Sequence, residues 1–211
     1  MKSTPQVFAL IKTFFYSLTM GLLLYPVSPM LAVDIAPDAL VRSTVDEVLT
    51  VIKQNNDKQA LRRLAEQRVL PHFDFRRMTQ LAMGPAWRQA NPEQQQALED
   101  GFRTLLVNTY TNALSGSAAG KQTVEVKPVQ VKPDANDVTV KTMAKEPGRQ
   151  PVAINYHMAR SAGGWKVYDV VVEDLSLVTN YRASFASEVS RSGIDGLIKV
   201  LGEKNRTLAK S

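Results

Sequence analysis

The chain contains no cysteine, so no disulfide holds it and its hydrophobic core must do so alone. It has two histidines. His72 follows Pro71 at a helix break and His157 lies on the polar face of a strand. Neither has companions at metal-ligand spacing, and both read as structural or surface residues. No G-x-S-x-G elbow is present. The run Gly116-Ser117-Ala118-Ala119-Gly120-Lys121-Gln122 resembles a phosphate-binding loop, but it is one residue short between its glycines. It also has Gln122 where Ser or Thr would hold magnesium, and it follows a helix rather than a strand. It reads as a linker. No internal repeat or low-complexity tract shows, and no basic–aromatic cluster suits nucleic acid.

Long hydrophobic runs are also missing. The longest, Thr13 to Tyr25, falls short of the ~20 residues of a spanning helix. With Lys2 and Lys12 before it and Pro26 to Ala32 after it, the run predicts a secretory signal peptide over residues 1–32, cleaved after Ala32. The alternative is an N-terminal membrane anchor; a lipid-modified cysteine is excluded. Residues 33–211 then form one domain. Its formal charge falls from +6 to +4, because only Lys2 and Lys12 are lost. That mild surplus suits an anionic lipid surface or an acidic protein patch.

What is present is periodic. From Asp38 to Asn55, Leu40, Val41, Val45, Val48, Leu49 and Ile52 recur at helical spacing, and Pro37 suits the first turn. Asn55-Asn56-Asp57 ends that helix and caps a second, Lys58 to Val69, which Pro71 breaks. Asp74 caps a third helix carrying Phe75, Met78, Leu81 and Ala82, stopped by Gly84-Pro85. Asn91-Pro92-Glu93-Gln94 is a capping box, opening a long helix to Leu114 with the stripe Leu98, Phe102, Leu105, Leu106, Thr109, Tyr110 and Ala113. The helical part thus spans 37–114.

The period then changes to two. Val124, Val126, Val129 and Val131 form a strand interrupted at Pro128, and Val138, Val140 and Thr142 form the next. Pro151 to Leu177 supplies a hairpin around Ser161-Ala162-Gly163-Gly164. Pairing Arg160 with Trp165 sets Met158 opposite Val167, Tyr156 opposite Asp169 and Ile154 opposite Val171. One face would then be apolar, with a single carboxylate, Asp169, set into it. After the sheet, 122–173, helices return over 175–207, broken at Ser192-Gly193. The order predicts an α+β fold, a four-stranded antiparallel meander covered by helices.

Asp169 and Glu173 lie four apart on a strand, beside Asp174. An acid/base pair needs a cleft and shifted pKa values, so an enzyme acting on an apolar substrate, with Asp169 as base and Tyr168 or Tyr156 as donor, is the alternative function. Apolar surface is the chain's main resource, closed as a core or open as a cavity. A lipid-free adaptor with a closed core is the third reading.

Several motifs in their order resemble the MlaC family of periplasmic phospholipid-binding proteins, also known as toluene-tolerance proteins. They are Val69-Leu70-Pro71 with Leu81 and Gly84; the helix to Leu114 with Phe102-Arg103 and Tyr110; Trp165-x-x-Tyr168-Asp169 with Glu173 and Ser176; and Gly193-Ile194-Asp195-Gly196-Leu197. One departure is Asp174, where the pattern has glycine. The resemblance implies a nuclear-transport-factor-2-like (cystatin-like) half-barrel with extra helices and an apolar cavity. It also implies a monomeric phospholipid carrier in the periplasm that maintains outer-membrane lipid asymmetry. The carrier's partners would be an outer-membrane lipoprotein–porin complex and an inner-membrane ABC transporter, with no cofactor, no metal and no catalysis. Acyl chains would lie between helices and sheet. The candidate lining is Met78, Leu81 and Trp87; Phe102, Leu105, Leu106, Thr109 and Tyr110 from the long helix; Val140, Ile154, Tyr156, Met158, Val167 and Val171 from the sheet; and Leu177 and Tyr181 after it. Arg103, Arg149 (in Gly148-Arg149-x-Pro151) and Arg160 are candidates for headgroup or partner contact.

Overall fold

The computed structural model describes residues 35–54, 57–115 and 121–210. The expected export segment 1–32, the Asn55-Asn56 joint and the 116–120 link lie outside them. Pro37 opens α1 (Pro37–Gln54). Asp57 caps α2 (Lys58–Leu64), its carboxylate accepting from the Ala60 N–H at 2.9 Å. The expected helix to Val69 changes character at Leu64. Residues Ala65–Val69 form a π turn, closed by Leu70 N–H donating to the Ala65 carbonyl. Leu70–His72 form a 3-10 turn. Pro71 has no N–H for an α-helical ladder, and it disfavours α geometry in the residue before it. The chain therefore unwinds through wider and tighter turns instead of continuing.

Asp74 accepts from Arg77 N–H at 2.9 Å and caps α3 (Phe75–Met83). Trp87 lies in the 3-10 segment Gly84–Gln89. The capping box of α4 (Pro92–Ser115) closes both ways, Gln94 N–H to Asn91 Oδ1 at 2.8 Å and Asn91 N–H to Gln94 Oε1 at 3.1 Å. α5 (Leu177–Lys210) runs beyond the expected end and breaks at Gly193, whose φ of 72° and ψ of −177° suit glycine alone.

The sheet is antiparallel in the order β1 (Thr123–Val126), β2 (Asp137–Lys145), β3 (Val152–Ser161), β4 (Gly164–Val172), β5 (Leu175–Ser176). It has one strand more than expected, a two-residue strand beyond the Glu173-Asp174 turn. β1 stops before Lys127-Pro128, leaving Val129 and Val131 to pack from a loop.

The hairpin register begins as expected, Arg160 opposite Trp165 and Met158 opposite Val167. It then slips by one at a bulge between His157 and Met158. Tyr168 is the extra residue on β4. Beyond it His157 faces Asp169, Tyr156 faces Val170 and Ile154 faces Val172, which corrects the Tyr156–Asp169 and Ile154–Val171 pairs. Because side chains alternate with period two, one inserted residue exchanges the faces of everything after it. Val170 and Val172 join Val167 on the helix-covered face. Asp169 and Val171 turn to the other.

The core forms three clusters. In the first, α3, α4 and α5 enclose Phe102, which is 0% exposed and edge-on to Tyr181 (5.0 Å) and Phe185 (5.2 Å). In the second, Leu40 and Val41 of α1 lie on Val126, Val140, Met158, Trp165 and Val167 of the sheet. The third joins Ile52 and Leu61 with Val48, Val51 and Leu114.

Candidate functional site

These clusters meet without filling the space between them. The gap leaves about 230 Å³ open to the centre of a water-sized sphere, where a single water needs only ~10–15 Å³ on that measure. Val48 of α1 closes one side, with Leu61 and Leu64 of α2 and Ala65 and Val69 of the π turn. Leu70, Phe73, Phe75 and Met78 continue the wall. α4 contributes Leu106, Val107, Tyr110, Thr111 and Leu114; β4 contributes Val170 and Val172; α5 begins with Leu177. Only Tyr110 and Thr111 bring a polar side-chain group. No charged side chain lines it.

Local sequence explains the wall. Leu61, Leu64 and Ala65 repeat at three and four residues, so α2 turns them inward and holds Arg63 in solvent. The bulge at Tyr168 turns Val170 and Val172 toward the helices. An apolar wall of this extent left facing water is a cost to the empty protein. A space kept apolar at that cost is suited to an apolar guest.

Of the lining residues expected from the sequence, Met78, Leu106, Tyr110 and Leu177 border the cavity. Leu81, Trp87, Phe102, Leu105 and Tyr181 lie in the first cluster. Val140, Tyr156, Met158 and Val167 lie in the second. Thr109 is not in the lining, and its hydroxyl acts on the Tyr181 phenol beside it. Ile154 is half-buried, opposite Val172. Val171 is half-buried on the opposite sheet face from Val170 and Val172 and is not part of the lining. The second-helix and π-turn residues were missed, although Leu61, Leu64, Ala65 and Val69 already carried a stripe. Val170 and Val172 had no such signal, because their facing depends on a bulge.

Tyr110 is 47% exposed and stands at the rim. Burial raises its pKa, and neighbouring Tyr181 adds to the effect. Burial also raises that of Tyr181, opposed by the Thr109 hydrogen bond. The three arginines lie outside the lining. Arg103 is exposed on α4, Arg149 pairs with Glu146 at 3.4 Å, and the Arg160 guanidinium stacks over Trp165 at 4.9 Å.

Asp169 is buried, but away from the cavity. Its carboxylate accepts from Ser176 Oγ at 2.6 Å and from Val178 N–H at 3.2 Å, capping α5 from the sheet. The proposed donors are elsewhere. The Tyr168 hydroxyl donates to Asp137 at 2.9 Å under the Arg77 guanidinium, and Tyr156 faces Val170. A base at Asp169 working with either tyrosine on a guest in the cavity has no geometry here. No group of His, Asp and Glu among the described residues is arranged to hold a metal ion. No helix among them is long and apolar enough to cross a membrane.

Comparison with known proteins agrees with this geometry. The intermembrane phospholipid transport system binding protein MlaC of Haemophilus influenzae is 21% identical over 196 residues, spanning 89% of this chain and 91% of its own. Toluene tolerance protein ttg2D of Pseudomonas putida is 27% identical over 185 residues, spanning 82% of this chain and 83% of its own. A phospholipid-binding protein from Ralstonia solanacearum, solved in complex with a phospholipid, superposes with a TM-score of 0.73 at 41% identity. That alignment covers 82% of this chain and 98% of the other. Residues 42–203 match the family described as MlaC protein. With a wall of hydrocarbon at its centre and a family match over most of its length, this chain belongs to the MlaC family.

Proposed function

We propose that this chain is a phospholipid carrier that holds acyl chains in the cavity between α2, α4 and the end of β4. The observation that carries the reading is the cavity of about 230 Å³, walled by hydrocarbon and free of charged groups. The Ralstonia solanacearum relative, solved with a phospholipid bound, supports it. Each methylene moved from water into such a space contributes ~0.8 kcal/mol. A wall without charges competes with a bilayer interior on nearly equal terms, so the guest can leave again at a membrane.

On this reading residues 1–32 are a cleaved export signal, and residues 33–211 act as a monomer in the periplasm without cofactor or catalysis. The surrounding fold is a cystatin-like half-barrel with added helices. The carrier exchanges lipid with an outer-membrane lipoprotein–porin complex and an inner-membrane ABC transporter, which maintains outer-membrane lipid asymmetry. Arg103, Arg149 and Arg160 remain candidates for headgroup or partner contact. Solvent extraction of the purified protein, followed by mass spectrometry, should release phospholipid in near-stoichiometric amount. Protein that carries none, and takes none from vesicles, would exclude the carrier.

A further inference from the structure

The walls of the cavity differ in what stands behind them. α4 is backed by α5 through the first core cluster, where Leu106 is 6% exposed. β4 lies between β3 and β5 in the sheet. α2 and the π turn form a single layer. Leu61 is buried there, Leu64, Ala65 and Val69 face the cavity half-buried, and Arg63, Glu66, Gln67 and Arg68 are exposed. The C-terminal end of this layer is anchored to β4. Lys166 Nζ donates to the Pro71 carbonyl, and Asp74 N–H donates to the Val167 carbonyl at 2.8 Å. Just before that anchor the chain takes π geometry, with Leu70 N–H donating five residues back to the Ala65 carbonyl. Such turns recur at functional sites.

An ion pair crosses the seam between this layer and α1. Arg68 donates through Nε and Nη2 to the two carboxylate oxygens of Glu47, each at 2.7 Å. Their sequence neighbours Val69 and Val48 both line the cavity, so the fork spans the seam directly over the apolar wall. The Arg68 side chain is 61% exposed. Water and salt reach the pair, and a pair so placed stabilises only weakly. A tie of that strength fastens a wall without fixing it.

We infer that α2 and the π turn form the door of the cavity, turning on Leu70–His72, and that the Glu47–Arg68 pair is its latch. The guest enters and leaves along the seam between Val48 and Val69. Parting this single layer leaves the first cluster and the sheet ladder intact, which moving α4 or β4 would not. The inference rests on the cavity holding acyl chains and adds where they pass.

The test uses the whole protein, which has no cysteine of its own. Transfer of a pyrene-labelled phospholipid between protein and phosphatidylcholine vesicles is timed at low and at high salt. Glu47→Gln, Arg68→Gln and the double variant should each transfer lipid about two- to fivefold faster than the unsubstituted protein at low salt, as suits an exposed pair. The double variant should gain no more than either single one. Salt should speed the unsubstituted protein and leave the variants unchanged. In a Glu47→Cys/Arg68→Cys protein, a short bismaleimide joining the two thiols should keep bound lipid in place and slow its transfer at least tenfold. Bridged protein that transfers as fast as its unbridged form overturns the inference, because lipid then passes elsewhere, as at the Tyr110 rim. Gln variants with the rate and salt dependence of the unsubstituted protein overturn it equally. If the unsubstituted protein neither carries lipid nor takes it from vesicles, the carrier reading falls and the inference with it.

Discussion

His72 lies in the 3-10 turn between two residues of the cavity wall, Leu70 and Phe73. Its surroundings come from three elements: Glu47 of α1, Arg68 of the π turn and Lys166 of β4. Burial lowers its pKa below the ordinary 6.5, Lys166 and Arg68 lower it further, and Glu47 opposes them. The folded protein therefore prefers the neutral ring. Between that lowered value and 6.5 the unfolded chain binds the proton more readily, so stability rises with pH across the window and is lost on acidification. The urea midpoint should fall between about pH 7 and pH 5, and His72→Gln should flatten that part of the profile. An unchanged slope would assign the acid loss to other groups. Nothing in the spacing of His72 announced this setting, since Lys166 reaches it only through the fold.

At the scale of elements, the turn between β4 and β5 departs furthest from ordinary chemistry. Val172 pairs with Leu175 across a two-residue loop whose residues, Glu173 and Asp174, have φ of 47° and 64°. Positive φ at both positions is the type I′ hairpin geometry, usually Asn-Gly or Asp-Gly. Glu173 is held by its backbone and its side chain, with Glu173 N–H donating to the Ala153 carbonyl at 3.0 Å and Ala153 N–H donating to the Glu173 carboxylate at 2.5 Å. Asp174 has no such support. Asp174→Gly should stabilise the protein by ~0.5–1 kcal/mol in urea unfolding. A loss instead would show that the aspartate side chain contributes to the turn.

For the whole molecule the decisive contrast lies between a residue of the cavity and a residue of the closed core on the same helix. Val107 is half-buried and lines the cavity; Phe102 is 0% exposed against Tyr181 and Phe185. Val107→Asp should leave a folded protein that loses most of its co-purifying lipid, because the carboxylate can hydrate across the open wall. Phe102→Ala should cost ~3–5 kcal/mol of stability, while the fraction that stays folded keeps its lipid. Circular dichroism with lipid mass spectrometry on both variants checks this. Equal lipid retention in both would move the binding site away from the cavity.

The helices, their caps and the first half of the hairpin follow from local chemistry. An N-cap, a proline at the first turn or a period of two acts over a few residues, and Asp57, Asp74 and the Asn91–Gln94 box behave as their neighbours require. The MlaC family's motifs were legible for the same reason, as short runs in a fixed order. The wall of the cavity was not. It depends on one extra residue at Tyr168, which exchanges the faces of Asp169 to Val172, and on a π turn at Ala65–Val69, whose widening the stripe of Leu61, Leu64, Ala65 and Val69 does not specify. Apolar spacing shows that Phe102 and Leu106 both turn inward. Only the packing of three clusters against one another decides that Phe102 is sealed and Leu106 borders open space, because a void is a property of what neighbouring elements fail to fill.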